Sequence, residues 1–146
     1  MQLLDAAGPL QVFASANELV REAGQPPCYE AHVVAATPGP VVASAGLALI
    51  AEPLPPPRRR LDTLVIAGGP GARAAIAPPG LLRWIAQRSL HARRTASVCT
   101  GAFLLAAAGL LDGRRATTHW RHCAELARRF PSVTVETDPI FVCDGA

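Results

Sequence analysis

The sequence predicts an α/β fold with a mostly parallel sheet. A short, nearly continuous apolar segment, Leu61–Ala67, is typical of a parallel strand that helices cover on both faces, and Thr95–Val98 is interpreted as a second short, buried strand. A segment with helical periodicity, Gly80–Ser89, lies between them. Strands that alternate with helices in this way indicate βαβ crossovers. We take residues 1–146 as one domain, because this length suffices for a single well-buried core.

The composition favours a globular protein and argues against a disordered one. Half of the residues are hydrophobic and 17% are charged, with a net charge of +3. All fourteen basic residues are arginines, and most lie in separate short runs. We interpret these runs as solvated surface rather than as a nucleic-acid-binding stripe. No apolar run reaches membrane-spanning length and no signal-peptide pattern opens the chain, so we expect a cytoplasmic protein.

The cysteines and glycines give no sign of a metal or a cofactor. The four cysteines are widely spaced, without a CxxC pair or a zinc-ligand pattern, which predicts free thiols in a reducing compartment. His122 and Cys123 lie near His119, but their spacing does not suit zinc. The turn Gly68–Gly71 matches neither the dinucleotide fingerprint nor the phosphate-binding loop. We therefore expect no metal and no cofactor.

The remaining segments alternate between helix, strand and turn. Before Leu61 we predict an amphipathic helix region over Leu3–Ala23 broken at Gly8–Pro9, a strand over Tyr29–Ala36, a hairpin of Val41–Val42 with Leu47–Ala51, and a proline-rich loop over Pro53–Arg60. After residue 112 we predict a strand over Ala116–Thr118, a helix over His119–Phe130, strands over Val133–Glu136 and Ile140–Cys143, and a turn over residues 144–146.

A doubly wound sheet normally has a strand before the first helix and a helix after the last turn, so we expect a fragment truncated at both ends.

The most informative segment is the elbow between a strand and a helix over Thr95–Leu105. It places Cys99 on a sharp turn, just before an apolar helix that opens with Gly101 and Ala102. A helix N-terminus directs backbone N–H groups at such a thiol, which predicts a lowered pKa and access to a ligand. The alternative interpretation is that Cys99 is a small core hydrophobe.

Three further features are expected at the same edge of the sheet. The Gly68–Gly69 turn ends the preceding strand with backbone N–H groups that can face a developing anion. His119 follows the next short strand, and Asp5 lies in the first helix segment. His119 and Asp5 also have interpretations without a functional role. His119 beside Trp120 can be a packing residue, and Asp5 can be a charge at a helix N-terminus.

The motifs around these residues resemble the ThiJ/PfpI superfamily, whose fold is similar to that of class I glutamine amidotransferases. The resemblance rests on Ala67–Gly71, Ser97–Gly101 and Gly109–Trp120, and it extends from Leu4 to Phe141. It implies a flavodoxin-like three-layer sandwich. It also implies that the elbow Cys99 is paired with the acidic Asp5, with Thr100 and His119 as further site residues and Gly68, Gly69 and Gly101 around the ligand.

Two branches of the superfamily compete for this chain. Isonitrile hydratases resemble it through Asp5, Cys99 and Thr100. The GlxA-type regulators, in which this domain precedes an AraC-type helix-turn-helix region, resemble it through Gly101–Ala106, Thr117–Arg121 and Thr137–Phe141. The regulator resemblance implies a domain that senses a small molecule, forms a homodimer and meets DNA only through a C-terminal region missing here. A third hypothesis is a redox-sensing thiol at Cys99.

Overall fold

The computed structural model describes residues 1–76 and 79–145, without the side chain of Ala75, and shows a mixed α/β fold. The helices are α1 (Leu3–Glu22), α2 (Pro79–Ser89), α3 (Ala102–Ala107) and α4 (Cys123–Arg129). The strands are β1 (Val34–Ala35), β2 (Gly39–Val42), β3 (Ala48–Pro53), β4 (Leu61–Ile66), β5 (Ala92–Ser97), β6 (Arg115–Ala116) and β7 (Thr134–Val135). The predicted turn over 144–146 ends at Ala146, which lies outside the described residues.

The predicted α/β class with mostly parallel strands is confirmed. The pairs β1–β3, β4–β5 and β6–β7 are parallel, and the hairpin of β2 with β3 is antiparallel. The described strands form three small sheets, ordered β1-β3-β2, β4-β5 and β6-β7, rather than one continuous sheet. The chain crosses from β4 to β5 through α2, which is the βαβ unit that the alternating pattern predicts.

Helix α1 differs from the prediction, because it runs through Pro9 without a break. A proline inside a helix removes one backbone hydrogen bond, here the one to the Asp5 carbonyl. The helix nevertheless continues over all 20 residues, with Pro9 inside it. At its far end Asn17 accepts the N–H groups of Cys28 and Tyr29, each at 2.9 Å.

The strand predicted over Tyr29–Ala36 is shorter than expected. Only Val34 and Ala35 pair, in parallel with Glu52 and Pro53 of β3. Tyr29 is bound by Asn17 instead of by a strand ladder, and this contact between distant residues does not show in the local pattern. The hairpin is confirmed: β2 begins two residues earlier than predicted, and β3 begins one residue later and ends two residues later.

The core lies around α3, which is buried along most of its length. On one side Leu104 and Leu105 pack with Leu64 and Ile66 of β4 and Ile85 of α2. On the other side of α3 is a second cluster, formed by Ala102, Phe103, Ala106, Ala116, Leu126 and Val133. Helix α3 therefore joins the β4–β5 sheet to the β6–β7 pair, and it follows directly after the Cys99 turn.

The last third of the chain departs most from its predicted elements. The strand predicted over Ala116–Thr118 occupies Arg115–Ala116, and the predicted helix divides into a 3-10 turn, Trp120–His122, and α4. The strand predicted over Ile140–Cys143 is wrong, because Ile140 is 98% exposed and Phe141 79% exposed and the segment is irregular. Its apolar pattern therefore does not mark burial. Within residues 1–76 and 79–145, no helix combines the length and the apolar character needed to cross a membrane.

Candidate functional site

The elbow brings Cys99 to the end of β5 in a strained backbone conformation. The Val98 N–H donates to the Ile66 carbonyl at 3.0 Å, so the turn begins where β5 is still tied to β4. Cys99 then adopts a φ of 55°, in the left-handed region that disfavours residues with a Cβ by about 1–2 kcal/mol. A 3-10 turn, Cys99–Gly101, leads from there into α3. This strain indicates that the surrounding contacts hold the thiol in one place.

Two glycines of the predicted ligand site allow the elbow to approach β4. A Cβ on Gly101 would lie 2.1 Å from the Ile66 carbonyl oxygen, and one on Gly68 would lie 2.6 Å from the Thr100 backbone nitrogen. Both distances are far below van der Waals contact with backbone atoms, which cannot move aside without disturbing β4 or the turn. These positions therefore need glycine because backbones meet there.

Asp5 reaches the same place from α1 and is buried there. Its Oδ2 accepts the Gly68 N–H at 3.2 Å, so the first turn of α1 is bound to the end of β4. Asp5 also lies beside Cys99 and raises the pKa of its thiol. The structure therefore brings together Asp5 and Cys99, which are 94 positions apart in the sequence.

The prediction of a lowered pKa at Cys99 is wrong. Burial raises the pKa of the Cys99 thiol above its ordinary value of 9.0, and the Asp5 carboxylate raises it further through its charge and its hydrogen bond. The Thr100 N–H and hydroxyl lower the pKa, but by less than burial and Asp5 raise it. A helix N-terminus lowers the pKa of a thiol, but Cys99 lies in a 3-10 turn ahead of α3, and a carboxylate lies beside it. At neutral pH the group is a neutral thiol.

The Gly68–Gly69 turn uses its N–H groups within the protein. The Gly68 N–H donates to Asp5, and the Gly69 N–H donates to Thr100 Oγ1 at 2.9 Å. The Thr100 hydroxyl in turn donates to the Gly69 carbonyl at 3.1 Å. We expected both N–H groups to face a developing anion, but they bind Asp5 and Thr100 instead. These hydrogen bonds fix the two side chains beside Cys99.

The segment with His119 meets the elbow through its neighbour, Thr118. The Thr118 hydroxyl donates to the Cys99 carbonyl at 2.8 Å. His119 is half-buried, its Nδ1 accepts the Arg121 N–H at 3.2 Å, and its ring stacks on Trp120 with centroids 5.6 Å apart. His119 thus caps the turn that leads to α4, and its role toward a ligand stays a prediction. Sequence reasoning did not single out Thr118, although the hydroxyl pair in Thr117–Thr118 was a signal.

No group of three or more His, Cys, Asp or Glu side chains is placed to share a metal ion among residues 1–76 and 79–145. The four cysteines are free; Cys28 and Cys143 are exposed, Cys99 is half-buried and Cys123 is buried. The site is therefore defined by one carboxylate, one thiol and one hydroxyl around tightly packed backbone.

Comparison with known proteins matches the chain to the model of the DJ-1/PfpI family over residues 1–145. An uncharacterised protein from the cpoL 5′ region of Streptomyces lividans is 44% identical over 132 residues, covering 90% of this chain and 89% of that protein. The HTH-type transcriptional regulator CdhR of Pseudomonas aeruginosa is 36% identical over 136 residues, covering 91% of this chain but 40% of the regulator.

An isonitrile hydratase of Pseudomonas putida is also similar, at 36% identity over 122 residues, covering 84% of this chain and 49% of the enzyme. Among solved structures, a ThiJ/PfpI family protein from Pseudomonas syringae superposes with a TM-score of 0.65 at 31% identity. The match covers 86% of this chain and 52% of that one. The chain thus spans half or less of the regulator and of the enzyme that it resembles.

Proposed function

The chain belongs to the DJ-1/PfpI family, and on that basis we propose that it is the small-molecule-sensing domain of an AraC/GlxA-type transcriptional regulator. In this proposal residues 1–146 are one sensor domain of a cytoplasmic homodimer. The ligand binds around Cys99, Asp5 and Thr100, with His119 and the glycines at 68, 69 and 101 around it. DNA is bound by a separate helix-turn-helix region, and ligand occupancy biases that region by favouring one of two conformations.

The observation that carries the proposal is that Asp5 and Thr100 accept the N–H groups of Gly68 and Gly69 beside the elbow thiol. A neutral Cys99 with a raised pKa, paired with the buried Asp5, favours hydrogen bonding to a ligand over nucleophilic attack on it. The glycine N–H groups that an acyl-transfer enzyme would use for charge stabilisation are taken by Asp5 and Thr100. The similarity to CdhR supports the regulator assignment.

The second candidate is a cysteine-dependent isonitrile hydratase. The Asp5–Cys99 pair favours it, because a carboxylate in contact with a thiol can accept its proton as the sulfur attacks. In this candidate the Cys99 sulfur bonds to the isonitrile carbon, Asp5 passes the thiol proton to that same carbon to give a thioimidate, and Asp5 then activates water. Water replaces the sulfur, so isonitrile and water become an N-substituted formamide and the thiol is regenerated.

One pair of measurements separates the two candidates. Purified protein is screened by thermal shift against a panel of small polar metabolites, and the same preparation is incubated with an alkyl isonitrile while formamide is quantified. A sensor shows a ligand-induced rise in melting temperature that Cys99→Ala and Asp5→Asn weaken, and it forms no formamide. Formamide production that Cys99→Ala abolishes contradicts the sensor and supports the hydratase.

The regulatory part of the proposal is tested in the cell. Transcript levels are compared between strains that carry the wild-type gene and strains that carry Cys99→Ala or, as a matched control, Cys28→Ala, which changes an exposed cysteine. We expect Cys99→Ala alone to change a defined set of transcripts. Identical transcript profiles in all three strains would contradict a regulator.

A further inference from the structure

The Cys99 carbonyl is held from a distant part of the chain. Its oxygen accepts the Thr118 hydroxyl at 2.8 Å, across 19 positions of sequence. Cys99 needs such contacts, because a non-glycine residue with a φ of 55° persists only where its neighbours fix it. The Val98 N–H, bonded to the Ile66 carbonyl, fixes the backbone before Cys99, and Thr118 fixes the backbone after it.

The planarity of the peptide bond links the Cys99 carbonyl to the N–H group of Thr100. The Cys99 carbonyl and the Thr100 N–H belong to one peptide unit, whose atoms lie close to a plane. A contact that fixes the direction of the carbonyl therefore fixes the direction of the N–H as well. That N–H lies close enough to the Cys99 sulfur to lower the pKa of the thiol.

We propose that Thr118 is a positioning residue of the Cys99 site: its hydroxyl holds the Cys99–Thr100 peptide plane, and thereby keeps the Thr100 N–H directed at the Cys99 sulfur. Thr118 acts through this peptide and not on a ligand. The inference rests on the proposed function in one respect only, that Cys99 is the group that meets the ligand.

The backbone that carries Thr118 is itself well anchored. The Cys123 thiol, buried beneath this segment, contacts the carbonyls of Thr118 and His119 at 3.8 Å each. The Glu136 N–H donates to the Ala116 carbonyl at 2.9 Å, which holds the preceding strand. The hydroxyl is therefore presented to Cys99 from a fixed position. The titratable groups nearby are Asp5, which faces the thiol from α1, His119, which follows Thr118, and the Cys123 thiol itself.

The test measures the alkylation of Cys99 by iodoacetamide from pH 6 to pH 10, with the modified peptide quantified by mass spectrometry so that the other cysteines do not contribute. Thr118→Val removes the hydroxyl at nearly constant shape, and Thr118→Ser restores it. Thr117→Val is the matched control, because the Thr117 hydroxyl forms no hydrogen bond with the residues that the structure describes. We expect Thr118→Val to slow alkylation at pH 7.5 about threefold to tenfold, the worth of one hydrogen bond, and to move the pH midpoint upward.

Thr118→Ser and Thr117→Val should react like the wild type. The inference is overturned if Thr118→Val reacts at the wild-type rate, or if Thr118→Ser reacts no faster than Thr118→Val. Thr118→Ala is a second hydroxyl-free variant. If neither hydroxyl-free variant folds, the hydroxyl serves stability rather than orientation, which also overturns the inference. Because no ligand is used, these outcomes are independent of whether the sensor proposal holds.

Discussion

Asp5 accepts the N–H of Gly68 at 3.2 Å, and this contact joins the first turn of α1 to the end of β4. The same carboxylate faces Cys99 and raises the pKa of its thiol. One acidic side chain thus holds two elements together and adds to the effect of burial on the pKa of the elbow thiol. These two effects can be separated by substitution.

Asp5→Asn should lower the pKa of Cys99. The amide keeps an oxygen that can accept the Gly68 N–H, but it removes the negative charge that disfavours the thiolate. We expect Cys99 to be alkylated about threefold to tenfold faster at pH 7.5, which corresponds to a shift of up to about one pKa unit. Glu18→Gln removes an exposed carboxylate from the same helix and should change nothing. An unchanged or slower rate in Asp5→Asn would count against a charge effect.

The raised pKa of Cys99 also predicts a dependence of stability on pH. The folded thiol keeps its proton to a higher pH than the unfolded thiol, so its contribution is complete below the ordinary pKa of 9.0. It is lost as the pH rises through the folded value. We expect the free energy of unfolding, measured in urea, to fall as the pH rises above 9.0.

Cys99→Ser should make that alkaline decline shallower. Cys28→Ser, at an exposed cysteine, should leave it as it is in the wild type. Equal slopes in the wild type and Cys99→Ser would show that Cys99 is not the group responsible.

Gly101→Ala should destabilise the fold, because the added methyl group would lie 2.1 Å from the Ile66 carbonyl oxygen. The backbone has to shift to accept it, and overpacking of this kind typically costs about 1–3 kcal/mol. Gly71→Ala is the matched control, since a Cβ there would have no heavy atom of the described residues within 4 Å. Chemical denaturation of both variants gives the comparison. A loss of stability that is no larger in Gly101→Ala than in Gly71→Ala would contradict the close approach.

The β4–α2–β5 unit and its elbow could be predicted from the sequence because their signals are local. Leu61–Ile66 is a short, largely apolar run that ends at Gly68–Gly69, and the helical period of Gly80–Ser89 follows it. The positions of glycine turns and the period of hydrophobic residues are properties of neighbouring residues, and they determine where these strands and helices begin and end. The predicted bounds of β4 and α2 accordingly agree with the structure to within one residue.

The chemistry of the elbow could not be predicted in the same way, since it depends on contacts between distant residues. The direction of the Cys99 pKa is set by burial and by Asp5. The use of the Thr118 hydroxyl depends on where β6 places it. The segment Ile140–Cys143 has the composition of a strand but no neighbouring strand among the described residues to pair with, so the local pattern alone was misleading. The family resemblance identified Asp5 beside Cys99 but did not supply the balance of effects on the thiol.

The amino-terminal residues lie between two of the sheets. The Gln2 N–H donates to the Gly68 carbonyl at 3.1 Å, and the Met1 carbonyl accepts the Ser44 N–H at 2.9 Å. Ser44 also donates its hydroxyl to the Gln2 side chain at 2.7 Å. Two consecutive residues thus form a mechanical link between the hairpin turn and the Gly68–Gly69 turn. Because these hydrogen bonds join the two turns through only two residues, a change in the position of the β2–β3 hairpin is transmitted to the elbow site.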